Sequence, residues 1–494
     1  MSSAILNPLD KSRERETLWK LFGSPALMLN GVQFCLLSLI VAGALCASPA
    51  DDDGGLALLK SGRVSEAIAQ LESVRNRRPD SADVLYTLAQ AYFAMERNSD
   101  AASVLTDLAR RHAKDPAVLT AAGSLLLTHS MSEPASGILA QAEQLDPNNP
   151  MLLSLLAKAQ LASGHAEAST VTLRHLLSSL KRTPAAENQS SLQTAAATAA
   201  ALLEANPKTM SQRMLAAEFA FLLNRFTEGV RILSPSRPAA ERDPDYFNLL
   251  AASYAGLGEY TKAIAAGNQA LSISPMRQDL ILNLAGVYQK ARDNQAAIRI
   301  LQNAVSKGVR SAEIYFALAL SQFNFGSYAD AVGNCDRALL SNPDFSRALL
   351  LKGRANTRMA HREGAIAAFR SALRIDAGCD YCRYELASQL AEAGDPVEAE
   401  TLLRQVTQRA PQNAAAQYQL GKLLASRGES MGAIAALEAA VAADRNYEGA
   451  WYQLAKLYSQ SGESAKAAAA FATVKQIKDQ RRSAAETRLP KVNP

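Results

Sequence analysis

Seven alanines stand 34 residues apart, at Ala263, Ala297, Ala331, Ala365, Ala399, Ala433 and Ala467. A fixed period of that length marks a stacked array of two-helix units and leaves few other folds open to the chain. The same beat runs earlier through Ala67, Ala101, Ala135 and Ser169. The two series are out of phase, since Ser169 and Ala263 are separated by two periods plus 26 residues. Two arrays with one break between them are therefore expected.

The later units begin at Pro244, Gln278, Ala312, Ser346, Asp380, Ala414 and Glu448. Their eighth residue is always small: Ala251, Ala285, Ala319, Gly353, Ala387, Gly421 or Ala455. The seventh is leucine except at Lys352, and large apolar groups such as Phe247, Ile281, Tyr315 and Trp451 sit fourth. After the recurring alanine come Leu301, Phe369, Leu403, Leu437 or Phe471 four residues on, then Ala270, Ala304, Ala338, Ala372 or Val406 seven on. Spacings of three, four and seven share one helical face. Gly258, Gly326, Gly394, Gly428 and Gly462 separate the two apolar stretches, where a helix ends in a left-handed residue. Each unit reads as a hairpin whose helices cross at Ala or Gly. A lone hairpin cannot bury both apolar faces, so neighbours stack.

This pattern resembles the tetratricopeptide repeat, most fully in Trp451–Phe471 and Phe247–Ile264. Gly267 and Cys335 at an aromatic position, and Lys352 at a leucine one, depart from it. The earlier array is looser, carrying Leu85, Leu88, Ala89 and Tyr92, then Gly123, Leu126 and Leu139, then Leu153, Leu156, Ala157 and Gly164. The resemblance implies an all-α, right-handed α-solenoid of about 11–12 stacked hairpins in two phases. The expected divisions are 51–176 for the first array, 177–210 for an Ala-rich helical spacer, 211–474 for the second array and 475–494 for a basic capping helix and tail.

The resemblance also implies a binding surface. In tetratricopeptide proteins, first-helix positions 2, 5, 9 and 12 line a concave groove that grips partner segments. Position 5 carries Phe316, Leu350, Tyr384, Tyr418 and Tyr452; position 9 carries Arg354, Ser388, Lys422 and Lys456; position 2 adds Arg347 and Tyr381. Aromatic faces beside fixed cations suit an extended peptide with acidic groups or a terminal carboxylate. The alternative is that the tyrosines pack along neighbouring helices and the cations are merely solvated. The family's carboxylate clamp, Lys at 5 with Asn at 9, is absent.

Before the repeats, Phe34–Ala47 is a 14-residue apolar run behind Lys11, Arg13, Arg15 and Lys20, with small residues after it. Residues 1–50 thus read as a signal peptide or an N-terminal membrane anchor, either of which exports the repeats. The expected location is periplasmic or extracytoplasmic, with membrane contact through that segment alone. A net charge of +5 over 494 residues gives little support to a nucleic-acid partner.

Cys379 and Cys382 form a CxxC between two units. A disulfide in a helix-starting turn, a thiol–disulfide site and half a zinc site are the readings open to it. No second CxxC or clustered histidine completes a metal site, and no metal or other cofactor is expected. The five histidines are scattered, and GxSxG, GxxxxGK[ST] and HExxH are all absent. No α/β segment remains once the repeats are subtracted. The expectation is a non-enzymatic protein–protein interaction scaffold of the cell envelope, or else an accessory subunit of an envelope enzyme, secretion or polysaccharide-export complex.

Overall fold

The computed structural model describes residues 54–180, 188–207, 209–234 and 242–488. The expected export segment lies outside these residues. Every regular element among them is an α-helix, and the chain divides into an N-terminal body (1–239) and a C-terminal body (240–494).

The N-terminal body holds α1 (Gly55–Lys60), α2 (Val64–Arg77), α3 (Ala82–Ala94), α4 (Asn98–Arg111), α5 (Pro116–Thr128), α6 (Ser132–Leu145), α7 (Pro150–Ala162), α8 (Ala166–Leu180), α9 (Gln189–Ala205), α10 (Met210–Leu222) and α11 (Phe226–Leu233). The C-terminal body holds α12 (Pro244–Gly256), α13 (Tyr260–Ile273), α14 (Gln278–Lys290), α15 (Asn294–Ser306), α16 (Ala312–Phe325), α17 (Tyr328–Ser341), α18 (Ser346–Arg358), α19 (Arg362–Ile375), α20 (Asp380–Ala393), α21 (Pro396–Arg409), α22 (Ala414–Ser426), α23 (Ser430–Ala443), α24 (Glu448–Gln460) and α25 (Ser464–Arg488). All but α9 pair into hairpins, and within each body successive hairpins pack together. Each body is an α-solenoid.

Local signals start and stop these helices. Asp115, Asn149 and Asp243 each accept two backbone N–H bonds at an N-cap and are followed by proline, which fits the first helical turn. Between paired helices stands one residue with positive φ, and these residues also keep the 34-residue beat. In the C-terminal body the row is Gly258, Arg292, Gly326, Ala360, Gly394, Gly428 and Gly462. Five turns in the two bodies therefore place a side chain where glycine is preferred, at Glu96, Ser130, Asn224, Arg292 and Ala360. Ala360, at φ 58°, gains nothing from its methyl to offset that conformation. Ala360→Gly is expected to stabilise the chain by about 0.5–1 kcal/mol, the left-handed penalty less glycine's unfolded-state entropy. A lower denaturation midpoint for that variant would show that the turn carries no strain.

At the crossing, large and small residues complement each other. The Phe369 ring fills the space left by Gly353, and a Cβ there would lie 2.5 Å from it. Gly123 faces Leu139 and Gly421 faces Leu437 in the same way. The departures from pattern have local answers. Leu284 of the next unit reaches over Gly267, and Lys352 turns its ammonium 2.6 Å from Asp336. Cys335 is fully buried, and burial pushes its thiol up to about 12. Its peptide should resist alkylation in the native protein and react only on unfolding. Native labelling at Cys335, read by mass spectrometry, would contradict that packing.

The out-of-phase interval is occupied by α9, whose buried face (Leu192, Ala195, Ala199 and Leu202) packs against α7 and α10. Hairpin α10–α11 keeps the later register, yet by contact it belongs to the N-terminal body. Residues 475–488 form no separate capping helix; they continue α25. Ile264 and Leu271 of α13 pack on Leu284 and Val287 of the following unit. In α25 the equivalent places hold the exposed Ala468 and Lys475, a less apolar face than the one α13 offers its neighbour.

Candidate functional site

Positions 2, 5 and 9 of α16, α18, α20, α22 and α24 fall on one side of the first helices. The side chains there form three groups. In the first, Phe316 meets Phe345 at 5.0 Å between ring centroids, with the Arg347 guanidinium 4.8 Å over the Phe316 ring. Arg354 sits 4.9 Å over Phe323. Both arginines are thus held against aromatic faces, each contact adding about 0.5–1 kcal/mol at such exposed sites.

The second group is a set of tyrosines. Tyr418 and Tyr447 meet at 5.1 Å, and the Ser388 hydroxyl donates to the Tyr384 backbone carbonyl at 2.9 Å. Burial raises the Tyr384 phenol above its ordinary value, and it pushes Tyr447 up to about 12. Burial also raises Tyr381, helped by its bond to Glu385. At neutral pH these hydroxyls remain neutral donors. Tyr384 and Tyr418 are half-buried, so their rings both pack on neighbours and present an edge outward.

The third group lies at the last unit. Tyr452 is 48% exposed and Phe471 43% exposed, their rings 6.2 Å apart edge to face. Along this stretch Lys422 and Lys456 are exposed, and among the described residues neither makes an ion pair. That contrasts with the cations of the second helices, where Arg370 pairs with Glu398 and Arg404 with Glu400. Two ammonium groups without an ion pair thus stand on the same side as partly open aromatic rings, a chemistry that suits anionic groups.

The residues flanking this surface from just before the first helices, Phe345 and Tyr447, escaped the sequence reading. Their signal was available: each lies one residue ahead of a unit start, 102 residues apart, or three periods. The intervening place ahead of α20 is Cys379. Cys379 and Cys382 are disulfide-bonded, with Cα atoms 5.3 Å apart. Among the described residues no group of three or more His, Cys, Asp or Glu is arranged to hold a metal ion, and no helix is long and apolar enough to cross a membrane.

Sequence models of the tetratricopeptide repeat match residues 58–125 and 390–431, residues 282–339, 316–378 and 418–481, and residues 244–275. A stretch of 136 residues is 30% identical to cellulose synthase 2 operon protein C of Komagataeibacter xylinus, covering 27% of this chain. The match spans only 10% of that relative's length. Among solved structures, the APC/C hetero-tetramer Cut9–Hcn1 aligns at 15% identity over 89% of this chain and 96% of its own, with a TM-score of 0.37. Yeast Tom70 aligns at 15% identity over 83% and 97%, with a TM-score of 0.37. YrrB, described as having an unusual peptide-binding site, aligns at 20% identity over 38% and 97%, with a TM-score of 0.32. The repeat matches fall on α1–α5 and α12–α25, on hairpins whose crossings and turns keep the 34-residue beat, and this chain belongs to the tetratricopeptide repeat family.

Proposed function

We propose that the protein is a non-enzymatic scaffold of the cell envelope that holds partner proteins by extended acidic segments on the first-helix face of its C-terminal body. The observation that carries this reading is the run from Tyr384 through Tyr418 to Tyr452, with unpaired Lys422 and Lys456 beside it. Half-buried aromatic rings supply contact area at little entropic cost, and the ammonium groups add charge selection. Export through residues 1–50 is part of the proposal. A topology reporter fused after Asp53 should be active only on the outer side of the membrane.

Replacing Tyr418 by a photo-cross-linking phenylalanine in intact cells tests the surface directly. A defined partner set should appear at that position and not at Leu340, an 84% exposed residue of a second helix. Equal capture at both positions would overturn the assignment of this face. A second reading, an accessory subunit in polysaccharide export, draws support from the printed name of the Komagataeibacter relative. It predicts that the captured partners include an export or synthase component.

A further inference from the structure

The CxxC ahead of α20 occupies a particular place in the array. In two other units the residue before the first helix is aromatic, Phe345 or Tyr447, and its ring packs on the preceding unit's position-5 ring. Ahead of α20 that residue is Cys379, the N-cap of a 14-residue helix, and its Sγ accepts the Cys382 N–H at 3.1 Å. The two sulfurs differ in access. Cys379 is partly exposed, whereas Cys382 is fully buried with Leu349 and Ala372.

A disulfide stabilises a fold mainly by closing a long loop in the unfolded chain. This one encloses only Asp380 and Tyr381. The turn it closes is already tied by other bonds. Arg383 pairs with Asp380 at 2.6 Å and donates to the Ala377 carbonyl, while the Gly378 N–H donates to Asp376 at 2.8 Å. A structural staple therefore adds little here. A half-buried cysteine at a helix N-terminus, with its fully buried partner one turn on, is by contrast an arrangement that suits exchange chemistry. The helix N-terminus favours negative charge on Cys379, and burial keeps incoming thiols away from Cys382.

We propose that Cys379–Cys382 is a thiol–disulfide exchange site, with Cys379 the sulfur that is attacked and Cys382 the resolving sulfur. Its co-reactants are thiols, small or on a protein. An incoming thiolate attacks Cys379 Sγ and forms a mixed disulfide as the Cys379–Cys382 bond breaks. Cys382 leaves as a thiolate and takes a proton from water. A second thiolate attacks the incoming sulfur of that mixed disulfide and frees Cys379. The two thiols end as one disulfide, and the protein's disulfide takes up their two electrons. In the reverse direction, reduced Cys379 opens a disulfide and Cys382 closes the mixed intermediate. The site does not depend on the partner-binding face.

The test uses the full chain with glutathione as probe, acid quenching, alkylation and peptide mass spectrometry. In the wild type, reduced glutathione should release both thiols while circular dichroism and the denaturation midpoint barely change. With oxidised glutathione, Cys382→Ser should accumulate a glutathione adduct on Cys379, about tenfold more than Cys379→Ser accumulates on Cys382. Three results would overturn the proposal: wild-type reduction only under denaturing conditions, comparable adducts on the two cysteines, or no adduct on Cys379. The wild-type arm stands even where a serine variant fails to fold.

Discussion

Phe369→Ala should cost about 3–5 kcal/mol, the range for truncating a fully buried aromatic ring. Phe369 has no exposed surface, and the position opposite it is Gly353, which has no side chain to move into the space. The cavity therefore stays open, and the cost belongs at the upper part of that range. Phe471 provides the internal control, because it occupies the same place in the last repeat but is 43% exposed. Its truncation should cost less than about 1 kcal/mol, as expected for an incompletely buried site. Denaturant titration of both variants checks the pair. Equal losses would mean that the ring's burial between units does not stabilise the array.

Reversing both cations, Lys422→Glu with Lys456→Glu, should reduce partner capture through position 418 by about 100-fold. A unit charge pair at 4 Å is worth about 1 kcal/mol in water, so each reversal shifts an interaction by about 2 kcal/mol before screening. Both ammonium groups are exposed and make no ion pair among the described residues, so the fold should lose less than about 0.5 kcal/mol. Raised salt should weaken capture by the wild type and change that of the double variant little. Unchanged capture with retained stability would show that these lysines are only solvated.

The hairpins were readable because close packing leaves a periodic residue almost no freedom. The alanines from Ala263 to Ala433 are all fully buried at the helix crossing. The turns were half-readable. Glycine announced Gly258, Gly326, Gly394, Gly428 and Gly462, but Arg292 and Ala360 adopt the same conformation without a compositional signal. The break showed in the phase shift and its helix in the alanine content, but its packing did not, because α9 buries alanines and leucines without the large anchors that mark a repeat. At the candidate site, the ladder could be placed by position. Which rings stack depended on Phe345 and Tyr447, lying outside the helices that the pattern defines. The two tyrosine readings are not exclusive, because Tyr384 and Tyr418 are half-buried and leave part of each ring open while packing on neighbours.

The less apolar edge of α25 gives the array a direction of growth. A copy of the final hairpin joined after itself would meet Ala468 and Lys475 where five of the six preceding second helices of this body carry branched aliphatic carbons, α21 with Glu400 and Thr407 being the exception. A copy spliced in after α13 would meet Ile264 and Leu271 instead, and would seat as its neighbours do. Lengthening by duplication is therefore favoured from within the array, with the closing hairpin carried outward unchanged.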